Sequence, residues 1–432
     1  MIVKSWGNYP PHQQISHITN WRDNLSNDFL AIIKNHQTTL PFGNGCSYGD
    51  SCMASSGHVL QTRNLNRFIE VDWTCGIIKA EAGVTLEEVL NLSIVQGWFL
   101  PVTPGTKYVT LGGAVANDVH GKNHHIRGTF GCHVQSFSLL RSNQKLLICS
   151  PQENANLFNA TIGGLGLTGI IEWVEIKLMP IASSLIDSTT IRFDSIDEFF
   201  DLSNELDAAN EYSVAWIDCL QVGRGVFFVG NHAKKGELKA SQKPKITMPI
   251  TPPFSLINGL SLKFLNAAYY NLHKKSRQRK TLNYDPFFYP LDGILKWNRV
   301  YGKNGFQQYQ CVVPEQNSRA AIKEILNEIS RAKAGSFLAV LKRCGAIKSP
   351  GLLSFPLQGI SLALDFAQRD EFNKKLFERL DKILCQANGR LYPAKDAHMS
   401  SQDFKKFYPN WQLLESLRDP ALSSHFWNRT LL

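Results

Sequence analysis

At 432 residues, with 43% hydrophobic and 19% charged side chains, the chain has the balance of a globular protein, which excludes disorder and calls for two domains or one domain with a large insertion. No run of 18 or more apolar residues occurs, so no membrane-spanning helix is expected. The start MIVKSWGNYPPHQQ lacks the apolar centre of a secretory signal, and nine scattered cysteines without CxxC spacing point to reduced thiols, a cytoplasmic setting and no metal site.

In chain order, GNGCSYG (43–49) is the first of three glycine loops. VLQTRNLNRFIEVD and GIIKAEAG alternate as strands do, and TLEEVLNLSIVQG reads as a helix opened by Thr85 and ended by Gly97. The second loop, PGTKYVTLGGAVANDVHGKNHHIRGTFG (104–131), gathers glycines around Asp118, His120, Lys107 and Lys122. Glycine lets a backbone approach a bulky flat ligand, and clustered N–H groups make nests for phosphate oxygens. This stretch therefore predicts a cradle for a large anionic cofactor, tied to a core by Val109, Leu111, Ala114, Val115 and Val119.

HVQSFSLLRSNQKLLICS predicts two strands and a turn, and NANLFNATIGGLG a short helix that leads into the third loop, GGLGLTG (163–169). GIIEWVEIKLMPI is a period-two strand that closes the first unit near Pro180. Beyond it come a strand at 189–193, a helix at 195–208, and strands at 214–219 and 225–230. The chain resumes with strand GFQQYQCVVP, a helix at 318–332, strands GSFLAVLKRCG and GISLALDFA, and a helix at 370–387.

Between them lies a basic segment, 234–280, with eleven Lys or Arg against the single acid Glu237, a net +10 that equals the charge of the whole chain. PITPPFS marks it as a mobile loop or insertion. A solvated loop, a nucleic-acid surface and a surface for anionic lipid all fit a basic patch. It carries no motif for reading nucleic acid, however. Phe254, Leu260, Phe264, Leu265 and Tyr269 between its basic clusters give it the composition of an interfacial element.

None of the glycine loops follows the strand–GxGxxG–helix arrangement, and GxxxxGK[ST] is absent, so neither a dinucleotide fold nor a P-loop is indicated. Instead PFGNGCSYGDS, LNRFIEVD, AEAGVTLEEVL, PVTPGTKYVTLGGAVANDVHGKNHH, GTFGCHVQS and GGLGLTGII resemble the FAD-binding domain of the vanillyl-alcohol oxidase/p-cresol methylhydroxylase superfamily. SVAWIDC, PLDGILKWNRVYGKNGFQQYQCVVP, SFLAVLKRCG and NGRLYPAKDAH are similar to its decaprenylphosphoryl-β-D-ribose 2′-oxidase family. The resemblance implies an α+β, two-domain fold of the p-cresol methylhydroxylase (PCMH) type, whose substrate domain is an antiparallel sheet flanked by helices. Residues 1–181 would bind FAD, 182–384 the substrate, and 385–432 would return to the FAD domain.

By the same resemblance, the pyrophosphate and ribityl chain lie on Gly43, Asn44, Gly45, Cys46, Ser47, Tyr48, Gly105, Thr110, Leu111, Gly112 and Gly113, and on Asn117, Asp118, Val119 and His120. Ile171 packs near the adenine and Tyr392 reaches in from the C-terminal segment. Lys395, His120 and Lys122 form the implied catalytic group, with Lys395 placed to stabilise the negative charge of reduced flavin. Trp216, Phe288, Gln308, Gln310, Lys342 and Ala363 form the implied substrate wall. Structural roles compete for several of these: a core hydrogen bond for His120, a snorkelling stem for Lys342, a core position for Trp216. His124 and His125 read as structural, and Cys46 and Cys52 as inert thiols.

The chain departs from the family pattern at Cys46, where members with covalent FAD often carry His, so non-covalent FAD is implied. Ala363 stands where mycobacterial members have a pocket cysteine, and Phe288 where a pocket tyrosine is found. The implied reaction is oxidation of a secondary sugar hydroxyl, the 2′-hydroxyl of a polyprenyl-phosphate pentose, to a ketone. A separate NAD(P)H-dependent reductase would complete an epimerisation for cell-wall arabinan, at the inner membrane face. The alternatives are a soluble aldonolactone or alditol oxidase using oxygen, and a non-catalytic basic binding protein.

Overall fold

The structure, a computed structural model, describes residues 1–221, 223–240 and 246–431. Three sheets of four or more strands carry the architecture among these residues. In the first, Ile2–Val3, Gln14–Ile18, His58–Gln61 and Pro41–Phe42 lie side by side, the last three parallel. Helix Arg22–His36 backs it, setting Leu25, Phe29 and Ile32 against Leu60 and Leu65. The second sheet is antiparallel, in the order Phe68–Asp72, Ile77–Glu81, Ile170–Lys177, Val134–Leu140, Leu146–Cys149. Helix Leu86–Ser93 shares its core through Leu86, Val89 and Leu90. Thr85 caps that helix in a reciprocal box with Glu88.

The third sheet is antiparallel and eight-stranded: Gln278–Asn283, Leu185–Phe193, Gly225–His232, Tyr212–Ile217, Ala339–Cys344, Gly359–Ala367, Phe306–Pro314 and Arg390–Leu391. Successive residues of a strand point to opposite faces. Tyr309, Cys311, Leu362, Leu364, Leu341, Ala215 and Phe227 share one core with buried residues of helices Ile196–Leu206, Glu315–Arg331 and Asp370–Gln386. The alternate positions, among them Gln308, Gln310, Ala363, Val340, Lys342 and Trp216, face the other way.

Two expectations change. The basic segment is more structured than a mobile loop. Asn258 caps helix Gly259–Asn271, accepting from the N–H groups of Leu260 and Ser261, and Gln278–Asn283 is an edge strand on Leu185–Phe193. An Asn cap ahead of a run without Pro allows the helix, and Lys and Arg suit an edge that must not recruit another strand. Of the basic cluster, Lys243 and Lys245 lie outside the described residues. The C-terminal segment also differs, because Arg390–Leu391 first joins the eight-stranded sheet. Only afterwards does the chain return to the N-terminal unit, through Arg429–Asp50 at 2.9 Å and Arg141–Asp419 at 3.3 Å. Among the described residues no helix is long and apolar enough to cross a membrane, and all nine cysteines are free.

Candidate active site

One cavity of about 1360 Å³ separates the glycine loops from the polar face of the eight-stranded sheet. On the loop side, residues 43–48 follow strand Pro41–Phe42 and are clamped in place. Trp6 N–H donates to Ser47 O at 2.8 Å, Tyr48 N–H to Ala394 O at 3.1 Å, and the Asn44 amide to Tyr108 O at 2.8 Å. The N–H groups of Asn44, Gly45, Cys46 and Ser47 find no acceptor among the described residues, and the loop borders the cavity. Gly45 turns there with φ +64°. Consecutive unpaired donors on one turn form a nest for an anion.

In the second glycine loop, part of the expected nest is occupied by the protein's own contacts. Thr110 caps helix Leu111–Ala116, its Oγ1 accepting from Gly113 N–H at 3.2 Å. Leu111 and Gly112 donate to Val84 O and Ala82 O, both at 2.8 Å, so these donors are used inside the protein. The glycines give close approach instead: a Cβ on Gly112 would sit 3.0 Å from Ala82 Cβ, and one on Gly43 would sit 2.4 Å from Thr110 Oγ1.

Of the predicted cofactor residues, Leu111 and Asp118 do not border the cavity; the others do. A helix cannot turn every side chain to one face. Thr110, Gly113 and Asn117 face the cavity, whereas Leu111 is buried in the core. Asp118 is buried behind it, accepting from Gly131 N–H at 2.9 Å and from the hydroxyls of Ser349 and Ser354 at 2.6 and 2.5 Å. It ties the glycine segment to the 349–354 loop, a structural role.

The opposite wall is the sheet. Gln310 pairs across from Ala363, Ala363 from Val340, and Val340 from Trp216, so these side chains share one face. Trp216 is anchored by its Nε1–H to Phe337 O at 3.0 Å and packs edge-on against Tyr269. Phe288 sits in an aromatic group with Phe99, Tyr212 and Phe287, and its carbonyl accepts from Lys122 Nζ at 3.2 Å.

His120 is the junction of the two walls. Lys342 Nζ contacts its Nδ1 and also donates to Gly121 O at 2.6 Å, while the Gln310 amide lies 3.2 Å from its Nε2. Burial, and then the Lys342 charge, hold His120 well below the usual imidazole range, so it is neutral. Burial lowers Lys342 to about 8, and burial with the nearby Lys342 lowers Lys122 to about 8. Tyr392 stacks on Phe355 beside His120, and its hydroxyl donates to Asn117 O at 2.7 Å. His124 accepts from Gly345 N–H, and His125 lies against the carbonyls of Asp207 and Asn210; both are structural, as expected.

Lys395 lies over the Tyr48 ring, its Nζ 3.4 Å from the centroid. Burial lowers its pKa, and the charge of Asp365 opposes that shift. Asp365 was not singled out from sequence. It is fully buried, accepts from Gln308 Nε2 at 2.6 Å, and burial raises its pKa. Its signal was present all the same: it is the single acid in the apolar strand GISLALDFA, on the face of Ala363.

FAD fits this cavity: unpaired amides at 44–47 suit a pyrophosphate, and Gly105 leaves open space where a Cβ would stand. Burial pushes the Cys46 thiol up to about 12. A protonated thiol is a poor nucleophile, which favours non-covalent binding.

Comparison with known proteins bears on the family of the whole chain. The family described as an FAD binding domain matches residues 27–150. The decaprenylphosphoryl-beta-D-ribose oxidase of Mycolicibacterium smegmatis is 35% identical over 395 residues, spanning 88% of this chain and 85% of that protein. An uncharacterized Streptomyces coelicolor protein is 29% identical across 78% of this chain and 94% of its own. Human Delta(24)-sterol reductase is 31% identical over 117 residues, 27% of this chain and 23% of that protein.

Proposed function

The chain belongs to the decaprenylphosphoryl-beta-D-ribose oxidase family and is an FAD-dependent oxidoreductase, and we propose that it oxidises a secondary sugar hydroxyl, the 2′-hydroxyl of a polyprenyl-phosphate pentose, to a ketone. One observation carries this reading. A single cavity joins the glycine loops to a cluster of lysines and amides, then opens under an apolar, basic rim. Residues 1–181 form the cofactor unit in this reading, 182–384 the substrate unit, and 385–432 the segment that closes them together.

FAD, when bound, supplies the hydride acceptor. The side chains bind, orient and move the proton. Lys342, held by His120 and Gly121 O, presents a cation to phosphate or sugar oxygens. Lys122, with its pKa near 8, takes the hydroxyl proton as the carbon–hydrogen bond breaks. Neutral His120 orients Lys342, and Gln308 and Gln310 offer amides to the sugar. Lys395, a cation whose pKa burial lowers, would supply positive charge to offset the negative charge of the reduced cofactor.

At the mouth, Leu265, Tyr269, Leu272, Arg279 and Lys280 border the cavity. Leu260, Phe264 and Leu272 of the same region are 83%, 76% and 76% exposed, more than solvent alone favours. Beside Lys263, Lys274 and Lys275, they suit an anionic membrane surface that keeps the lipid tail. In this reading the protein sits peripherally at the inner membrane face, and a separate NAD(P)H-dependent reductase acting on the keto product completes an epimerisation.

The test is anaerobic mixing of the purified yellow protein with lipid-linked pentose in anionic vesicles. The flavin band is expected to bleach, and to persist with free pentose or alditols. Bleaching by small polyols alone would replace this reading with a soluble alditol oxidase.

A further inference from the structure

Away from the cavity, three histidines from three separate elements converge. His17 lies on strand Gln14–Ile18, His36 ends helix Arg22–His36, and His58 opens strand His58–Gln61. None of them borders the cavity. One ring nitrogen from each lies within 4.8 Å of the others, and His17 Nε2 is 2.9 Å from His58 Nδ1. The rings of His36 and His58 stack with centroids 3.5 Å apart at 10°. All three are half-buried, open enough for an ion to enter.

Two imidazolium rings do not stack face to face, because like charges at that distance repel strongly. Neutral imidazole nitrogen is the form that ligates metal, and the three rings stand close enough to share one ion. Nitrogens on one tetrahedral ion stand roughly 3.3 Å apart at metal–nitrogen distances of about 2.0–2.1 Å. The His17–His58 pair is already close to that, and a modest ring rotation of His36 brings in the third.

The helix adds its own contribution. His36 is the last residue of a 15-residue helix, and a helix C-terminus carries partial negative charge that favours a cation. The parallel pairing of Gln14–Ile18 with His58–Gln61 fixes the two strand donors. The donors come from positions far apart in the chain, which is why no spacing motif announced them.

We propose that His17, His36 and His58 form a binding site for a divalent transition metal of the zinc or copper type, with water as the fourth ligand, clipping the end of helix Arg22–His36 to the N-terminal sheet. Imidazole-only donor sets suit these ions and exclude calcium and magnesium, which take oxygen.

The test uses flavin-loaded, chelator-treated protein and Zn²⁺ in equilibrium dialysis, with His36→Gln and His58→Gln as variants. Wild type is expected to bind one tight equivalent, and each variant to lose affinity by at least about tenfold. Both variants leave every cysteine in place, so unchanged zinc binding in them overturns the proposal. In case a variant fails to fold, the Cu²⁺-loaded wild type is examined by electron paramagnetic resonance. Couplings from more than one imidazole nitrogen support the site, and their absence overturns it.

Discussion

Replacing Lys342 with methionine tests how the two walls of the cavity work together. Methionine fills the volume of the lysine stem in strand Ala339–Cys344 but removes the ammonium. Gly121 O and His120 Nδ1 then lose a donor. A buried unpaired group costs about 1–3 kcal/mol, but a buried charge leaves at the same time, and its removal offsets part of that cost. Stability is therefore expected to change by less than about 2 kcal/mol. Binding suffers more. A charge-assisted hydrogen bond to the substrate is worth about 1.5–3 kcal/mol, so kcat/KM falls roughly 10- to 150-fold. A second signature separates this from simple misfolding. His120 is held low by burial first and by the Lys342 charge second. Without that charge its pKa climbs back toward the ordinary value, and an acid limb enters the pH profile as the imidazole begins to protonate. The assay is steady-state turnover of lipid-linked substrate across the pH range, with flavin occupancy read from absorbance. A variant that keeps its flavin, its kcat/KM and a flat acid side would refute the role given to Lys342.

Five shorter predictions rest on the same structure. Lys122 and Lys342 are set at about 8 against the usual 10.5; as pH rises through 8, Lys342 loses the charge that holds phosphate, so KM for a phosphate-bearing substrate climbs, while Lys122 passes into the neutral form that accepts the hydroxyl proton. Their lowered values weaken folding below about pH 8, and that cost fades as pH rises toward 10.5, so Tm of substrate-free protein should rise from these groups over that interval. Gly43→Ala forces a Cβ onto Thr110 Oγ1 and disturbs the helix cap, so the purified variant should carry less flavin per chain; full occupancy would count against the close approach. Acid precipitation should leave the flavin in the supernatant, and Cys46→Ser should remain yellow, because the Cys46 thiol is kept protonated. Leu260→Ser with Phe264→Ser should weaken sedimentation with anionic vesicles while leaving Tm unchanged, since both side chains already stand in solvent; equal co-sedimentation would remove the membrane role of the rim.

The elements most visible in the sequence were those whose local signals agreed with the packing. Thr85 and Gly97 bounded a helix that the structure places at Leu86–Ser93 followed by a short turn ending at Gly97, and GISLALDFA and GFQQYQCVVP became the paired strands Gly359–Ala367 and Phe306–Pro314. The glycine loops pointed to the cofactor, yet not to which amides would be left unpaired. That depends on Ala82 and Val84, partners supplied by another part of the chain. Asp118 was implied as a cofactor residue by the family resemblance of its segment. Only the loop carrying Ser349 and Ser354, more than two hundred residues away, makes it structural. Helix Gly259–Asn271 was hidden by its surroundings, since Pro-rich and basic residues on both sides gave the segment the composition of a loop.

The eight-stranded sheet explains how its half of the site can hold polar groups at all. Its outer face contributes aliphatic and aromatic residues to a core shared with three helices, and that burial stabilises the sheet without help from the other side. The inner face is then free to carry Lys342, Gln308, Gln310 and Asp365, which are expensive to bury with so few partners. Asp365 Oδ2 finds no hydrogen-bond donor among the described residues. Polar groups held dry in this way are poised for a ligand, and they appear in the sequence as polar intrusions in otherwise apolar strands. The same alternation puts Ala363 directly beside Gln310, with no bulk above the strand, while Phe288 fills the opposite wall with a ring that offers no hydroxyl. On the proposed function, discrimination among sugars at this position comes from shape and from the polar groups of the cavity, the amides of Gln308 and Gln310 among them. Ala363→Val, which narrows the wall without touching any lysine, should raise KM for the bulkier of two lipid-linked pentoses while leaving the flavin spectrum in place. An equal effect on both substrates would mean that Ala363 does not shape the pocket.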